Sequence, residues 1–207
     1  MTDLDPTLIG LETLSNVQKS SVNWLWPGYL PAGKVAVLDG DPGVGKSMLT
    51  CELAARISVG APMPGESGGL ELPADVILFA PEDDMSDTVV PRLEAHGADL
   101  DRIHNFTFTG EGDNQRLVTM PDDFNLIEKA IKKYKARLII IDPVVSMLSE
   151  RIDTHKDHSV RTALTPLARI ASENECTILL VRHLRKGEGP AIYKGGGSMA
   201  FIGISRI

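Results

Sequence analysis

The sequence predicts an α/β fold in which a mostly parallel central sheet is covered by helices on both faces. Short apolar runs that suit buried strands alternate with longer segments whose apolar residues recur at helical spacing. Several of these runs end directly in charged residues, which an open parallel sheet gathers at one edge. With 207 residues and 43% hydrophobic content, the chain can bury one sizeable core. We expect one main domain at residues 32–207, preceded by a segment, residues 1–31, that packs on it.

Composition and charge argue against several classes of protein. No apolar window reaches the roughly 18 residues of a membrane span, and the N-terminus has no basic stretch before an apolar run. We therefore expect no membrane partner and a cytoplasmic location. The net charge of −7 argues against a broadly basic surface for duplex DNA, although it is compatible with a local basic loop. Cys51 and Cys176 are placed like small, reduced core residues.

The most informative stretch lies between the first predicted strand, residues 34–39, and the first predicted helix, residues 47–57. Residues 40–47, here called the phosphate loop, match the pattern G-x-x-x-x-G-K-[ST] at every constrained position. Glycines let such a loop turn its backbone N–H groups toward phosphates, while the lysine adds positive charge and the serine can coordinate Mg²⁺. The pattern predicts a nucleoside triphosphate site. The candidate binding residues are Gly40, Asp41, Pro42, Gly43, Val44, Gly45, Lys46, Ser47 and Met48.

A later apolar run supplies the second half of such a site. Residues 138–141 are four bulky apolar residues, and they end at Asp142. A buried strand of this kind delivers its terminal aspartate to the sheet edge, where the carboxylate can hold the Mg²⁺ that bridges the phosphates. Ser47 and Asp142 are therefore the candidate metal ligands, and we expect the site to bind ATP together with Mg²⁺.

Another predicted strand, residues 74–80, leads directly into three carboxylates. Glu82, Asp83 and Asp84 follow it at the edge where ligands bind in open α/β sheets. Transfer of a phosphoryl group to water needs charge neutralisation, which Lys46 and Mg²⁺ can supply, and an oriented nucleophile. Glu82 is the candidate base that orients the water, and Asp83 and Asp84 are its rivals.

The last predicted strand, residues 176–181, ends in a histidine and three cations. Arg182, His183, Arg185 and Lys186 are expected at the same sheet edge as the phosphate loop. His183 is a candidate to hydrogen-bond the terminal phosphate and to report its loss to the loop that follows.

The remaining pattern predicts the elements that connect these strands. We expect a helix at residues 86–97, with Ser86 as its N-cap and Gly97 as its stop. A strand is expected at residues 102–109 and a second helix at residues 123–134. An amphipathic segment is expected at residues 157–171, in which Pro166 kinks or restarts the helix.

Together these residues resemble the RecA-like P-loop ATPases, and within them the AAA-type domains of plasmid, phage and mobile-element proteins that include the RepA-type hexameric replicative helicases. The resemblance extends from Trp24 to Arg206. It depends on Trp26-Pro27-Gly28 before residues 30–34, on the phosphate loop, on Pro81-Glu82-Asp83-Asp84, on Ile141-Asp142-Pro143, on residues 182–186 and on Gly197-Ser198. Relatives continue with further strands where this chain stops, so the resemblance also suggests a C-terminally truncated domain.

The resemblance implies roles for individual residues and for partners. It makes Glu82 the activator of the attacking water, Asp142 the Walker B acid and His183 the γ-phosphate sensor. It places the nucleotide between subunits of a homo-oligomeric ring, with a hexamer as the candidate size, and makes Arg206 the arginine finger given to a neighbour. Residues 187–198 resemble the loop that faces DNA in such rings, with single-stranded DNA as the candidate partner. There Arg185, Lys186 and Lys194 would meet the phosphate backbone and Tyr193 would stack on a base.

We therefore predict Mg²⁺-dependent ATP hydrolysis by a DNA-associated motor or replicative helicase. One alternative is a P-loop kinase, in which Glu82 or Asp84 orients an acceptor hydroxyl and Arg182, Arg185 and Lys186 act as a lid. Another is a nucleotide-gated regulatory or assembly module with little turnover. Because a phosphate loop contacts only phosphates, the sequence does not distinguish ATP from GTP as the substrate.

Overall fold

A computed structural model of the chain describes residues 13–70, 72–154, 156–184 and 200–205. In chain order its strands are β1 (Trp24–Trp26), β2 (Leu30–Pro31), β3 (Val35–Gly40), β4 (Val76–Phe79), β5 (Ile103–Asn105), β6 (Phe108–Thr109), β7 (Arg116–Leu117), β8 (Leu138–Ile141) and β9 (Thr177–His183). Its α-helices are α1 (Lys46–Val59), α2 (Val90–Ala95), α3 (Phe124–Tyr134), α4 (Asp157–Glu173) and α5 (Ala200–Ile204).

Within the described residues, the central sheet has five strands in the order β3-β9-β8-β4-β5, and every neighbouring pair is parallel. Parallel neighbours need crossover connections, which the intervening helical segments provide. The carboxyl ends of β3, β4, β8 and β9 therefore meet at one edge. Separate two-stranded antiparallel ribbons are formed by β1 with β2 and by β6 with β7.

Alternating apolar side chains on the strands build one core on each face of the sheet. On β8, Ile139 and Ile141 pack into a cluster with α3, α4 and Phe201 of α5, whereas Leu138 and Ile140 pack into a cluster with α1 and α2. A strand buried on both faces reads as a continuous apolar run, because successive side chains point to opposite layers. The predicted fold class, a mostly parallel sheet with helices on both faces, is confirmed.

The predicted helix at residues 86–97 begins differently from the expectation. A π-helical turn at Met85–Val89 precedes α2, and its N-cap is Asp84, not Ser86. The Asp84 carboxylate accepts hydrogen bonds from the backbone N–H groups of Ser86 over 2.7 Å and Asp87 over 3.3 Å. Pro91 follows the wider turn and has no N–H to donate to a regular helix.

The predicted strand at residues 102–109 is divided in two. β5 joins the central sheet and β6 leaves it for the ribbon with β7. Between them, the Asn105 side chain accepts hydrogen bonds from the Thr107 hydroxyl over 2.6 Å and from the Thr107 backbone over 3.2 Å. Such a local side-chain contact turns the backbone away from ladder pairing.

Helix α4 runs without interruption through Pro166, so the predicted restart does not occur. Its inner face, with Val160, Leu164, Leu167 and Ile170, is fully buried against the sheet. Packing of this face outweighs the roughly 3 kcal/mol cost of a proline inside a helix. Among the described helices, none combines the length and apolar character that crossing a membrane requires.

Candidate active site

The phosphate loop connects the carboxyl end of β3 to the first turn of α1. Gly45, directly before α1, has φ +91°, a left-handed conformation that favours glycine. Gly40 allows a close approach, because a Cβ there would lie 3.1 Å from Val44 Cγ2 and 3.3 Å from Lys46 Cδ. The two glycines let the loop fold back over the lysine side chain.

Lys46 is the first residue of α1, and its side chain is buried inside the loop. Its ammonium group donates hydrogen bonds to the carbonyl oxygens of Gly40 over 2.8 Å and Asp41 over 2.9 Å. A buried ammonium needs such acceptors. The loop therefore holds a positive charge at its centre, beside the N-terminus of a 14-residue helix.

Ser47 and Asp142 meet at the edge of the sheet. The Ser47 hydroxyl donates a hydrogen bond to Asp142 Oδ2 over 2.9 Å, and Asp142 follows directly after β8. Partial burial raises the pKa of the Asp142 carboxyl, while the Ser47 hydrogen bond and the nearby charges of His183 and Lys46 act in the opposite direction. Two hard oxygen groups in contact fit Mg²⁺, which prefers oxygen ligands.

The three carboxylates after β4 have different environments. Glu82 is exposed and accepts a 2.7 Å hydrogen bond from the hydroxyl of Ser146, in the 3₁₀ turn Val144–Met147 after β8. Asp83 lies 3.2 Å from a guanidinium nitrogen of Arg92. Asp84 caps the following helix, and its pKa is lowered by hydrogen bonds from Ser86. Both rivals of Glu82 thus have structural partners, and Glu82 contacts the segment that follows Asp142.

His183 lies opposite Gly40 in the parallel pairing of β9 with β3. The next residue along, Leu184, donates its backbone N–H to the Gly40 carbonyl over 3.1 Å. Within the described residues, Nδ1 of His183 is buried and has no hydrogen-bond partner. The last strand thus brings an imidazole to the base of the phosphate loop. It lies close enough to Asp142 for its charge to favour a lower pKa of that carboxyl.

The structure corrects the expectation for Arg182. β9 extends two residues beyond the predicted strand, so Arg182 lies inside the sheet with 1% of its surface exposed. Its guanidinium binds both carboxylate oxygens of Asp39 on β3. Arg182 is therefore neither an edge cation nor part of a lid. Sequence reasoning missed Asp39, although opposite charges at the ends of two buried strands were a usable signal.

Several predicted residues lie outside the described part of the chain. They are Arg185, Lys186, the candidate DNA-facing loop at residues 187–198 with Tyr193 and Lys194, and the candidate arginine finger Arg206.

The fold and the site together define a class of protein. A glycine loop between a parallel strand and a helix, with a helical serine bonded to an aspartate from another strand, is the arrangement of RecA-like P-loop ATPases.

Comparison with known proteins gives the family. A family model described as an AAA domain matches residues 7–189, and the chain belongs to that family. The chain is also similar to the DNA repair protein RadA of Halalkalibacterium halodurans, with 25% identity over 167 residues. That match covers 80% of this chain and 31% of RadA, so the chain spans about a third of this relative's length.

Proposed function

We propose that this chain hydrolyses ATP with the help of Mg²⁺ and acts as a DNA-associated motor. The observation that carries the proposal is the 2.9 Å contact between Asp142 and Ser47, the residue that follows Lys46, whose ammonium is held inside the loop. A metal ligand pair and a phosphate-binding cation in one place serve phosphoryl transfer, in which positioning and charge neutralisation supply most of the catalysis.

Ser47 and Asp142 are the residues that would hold the magnesium ion. The chemistry that the ion would supply there is neutralisation of the negative charge that develops on the phosphates. Asp142 sits in a partly buried position where its charge is costly, as the raised pKa of its carboxyl indicates. A divalent cation relieves that cost, which favours a metal-bound state of this edge.

Lys46 would bind the phosphates of the substrate. In the structure its ammonium is held by two loop carbonyls, Gly40 and Asp41. Phosphate oxygens are stronger acceptors than neutral carbonyls because their hydrogen bonds to an ammonium are between opposite charges. We infer that the ammonium exchanges these carbonyls for phosphate oxygens when ATP enters the loop.

Glu82 would act as the general base. Its carboxylate already accepts a hydrogen bond from a hydroxyl, that of Ser146, over 2.7 Å. A water in a similar arrangement would donate one O–H to Glu82 and attack the terminal phosphorus with its lone pair. The bond from that phosphorus to the oxygen of the β-phosphate would break, ADP would leave with the bond's electron pair, and the water's proton would pass to the Glu82 carboxylate. Nδ1 of His183 is buried and has no hydrogen-bond partner among the described residues. We propose that His183 donates a hydrogen bond to the terminal phosphate.

The motor role is supported by the family and by one relative. The chain is similar to a protein named for DNA repair, which supports association with DNA. We propose that single-stranded DNA is bound by the basic residues around 185–194, within a homo-oligomeric ring of hexameric type. In that ring Arg206 would reach the nucleotide of the neighbouring subunit, as the resemblance to the RepA-type helicases implies.

The experiment that tests this proposal follows the γ-phosphate of labelled ATP with Mg²⁺, with and without single-stranded DNA. Free phosphate whose release DNA stimulates supports the motor. Label that appears on an added small acceptor instead supports a P-loop kinase and contradicts the proposal. Bound nucleotide without turnover under all conditions, even at high protein concentration, also contradicts it and supports a regulatory or assembly module.

A further inference from the structure

An ion pair between a buried arginine and a half-buried aspartate joins the phosphate-loop strand to its neighbour. Arg182 Nε donates to Asp39 Oδ1 over 2.7 Å, and Arg182 Nη2 donates to Asp39 Oδ2 over 2.6 Å. The two residues face each other in the register of β3 and β9. Two parallel hydrogen bonds between a planar guanidinium and a carboxylate fix direction as well as distance.

The position of this pair next to the active site is the second observation. Asp39 directly precedes Gly40, the first residue of the phosphate loop, and Arg182 directly precedes His183. Gly40 and His183 are themselves opposite each other in the sheet. Any sliding of β9 along β3 would therefore move the imidazole relative to the loop, and the ion pair opposes that movement.

The pair is shielded on one side by helix α5. The Arg182 guanidinium carbon lies 5.2 Å from the centroid of the Phe201 ring, and Phe201 is completely buried. A guanidinium over an aromatic face gains a cation–π contact, and exclusion of water strengthens the pairing with Asp39. Contacts among β3, β9 and α5 therefore together fix the geometry of the pair.

We propose that Asp39 and Arg182 are positioning residues that hold His183 at a fixed place relative to the phosphate loop. This inference rests on the proposed ATPase function. A buried ion pair is costly to desolvate, and a neutral pair of similar size is often no less stable, so stability alone is a weak reason for charges here. We infer that the charged pair instead fixes the position of His183, the residue proposed to contact the terminal phosphate, relative to the phosphate loop.

The test uses two substitutions that avoid leaving a buried charge unpaired. Asp39→Asn combined with Arg182→Gln keeps the shape and one hydrogen bond, and Arg182→Lys keeps the charge but loses the planar fork. The matched control is Arg116→Gln combined with Asp123→Asn, because Arg116 forms a similar two-bond pair with Asp123, over 2.6 and 2.7 Å, outside the site. For each protein we would measure Tm, the Kd of a non-hydrolysable ATP analogue, and kcat and KM for phosphate release.

The expected result is a fall in kcat of about tenfold or more for both Arg182 variants, with KM and Kd within about threefold of the parent and no such fall in the control. A second readout is the imidazole NMR signal of His183, assigned with His183→Gln. In the parent this signal should differ between ADP and the ATP analogue, and in the double variant the difference should shrink although both nucleotides bind.

Folded variants with the parent's kcat and the parent's His183 response would overturn the proposal. So would failure of both Arg182 variants to fold, because the pair would then be a requirement of the fold itself. Failure of the ATPase proposal is distinguishable, since it would show as absent turnover in the unsubstituted chain rather than as a ratio between variant and parent.

Discussion

The hydroxyl of Ser47 donates a hydrogen bond to the carboxylate of Asp142 over 2.9 Å, although 95 residues separate them in the chain. The contact exists because the phosphate loop and β8 end at the same edge of a parallel sheet. It joins the two residues that the sequence indicates as metal ligands. Three predictions concern residues near this edge, and a fourth concerns a buried acid outside it.

Substitution Asp142→Asn should stabilise the nucleotide-free protein at pH 7 while it reduces Mg²⁺-dependent hydrolysis by about 100-fold or more. Burial raises the folded-state pKa of Asp142, so its stability contribution is present below the unfolded pKa and is lost as pH rises through the folded pKa. The neutral amide avoids that loss. Thermal unfolding at pH 7 and at pH 3 checks this, and the gain in Tm should disappear at pH 3. A lower Tm for Asp142→Asn at pH 7 would contradict it.

Substitution Lys46→Ala should weaken binding of an ATP analogue by about 100-fold, which corresponds to about 2.7 kcal/mol. The reason is loss of the ammonium that the loop holds at its centre. Lys34→Ala is the matched control, because Lys34 is exposed and precedes the opposite end of β3. Calorimetric titration of both variants measures the effect. Equal affinity in Lys46→Ala and Lys34→Ala would rule out the phosphate-binding role of Lys46.

Substitution Asp84→Ala should lower the Tm and leave kcat for phosphate release within about threefold of the parent. Asp84 caps the helix after β4 through hydrogen bonds from Ser86 and Asp87, so its loss affects the helix rather than the reaction. Steady-state kinetics and thermal unfolding of the same preparation separate the two effects. A large loss of kcat with an unchanged Tm would instead favour Asp84 as the catalytic carboxylate.

Substitution Asp123→Asn should lower the Tm at pH 7 by roughly 2–4 °C, the shift expected for about 1 kcal/mol in a domain of this size. Asp123 is nearly buried and accepts hydrogen bonds from the Arg116 guanidinium and the Thr119 backbone, and these hold its pKa below the usual range. A lowered folded pKa contributes stability above the unfolded pKa of about 3.9, and that stability is lost as pH falls through the folded pKa.

Urea unfolding of the parent and of Asp123→Asn across pH 3 to 7 provides the check on this acid. The difference in unfolding free energy should be largest near neutral pH and should shrink below about pH 4. If the difference in unfolding free energy stays constant from pH 3 to pH 7, the charge of Asp123 does not contribute to stability.

The sequence predicted the features whose signals are local. The phosphate loop, the strand before it and the apolar run ending at Asp142 are each contained in a short stretch, so pattern and periodicity were enough. The same is true of the fold class, because alternating strands and helices favour a parallel sheet.

The features that escaped prediction depend on register between distant strands. Arg182 and Asp39 are 143 residues apart, and only the pairing of β9 with β3 brings them together. The contact between Glu82 and Ser146 likewise joins turns after two different strands. The prediction of Ser86 as the N-cap was wrong for a local reason. Asp84 and Ser86 are both good capping residues two positions apart, and the helical turn begins after the earlier one.

The most direct test of the proposed ATPase function is steady-state phosphate release from ATP with Mg²⁺, measured for the parent chain and for Glu82→Gln together with the affinity of each for an ATP analogue. We predict turnover in the parent that EDTA abolishes, and a kcat at least about 100-fold lower in Glu82→Gln with the affinity for the analogue within about threefold of the parent. Unchanged turnover in Glu82→Gln, or nucleotide binding without any phosphate release by the parent, would contradict it.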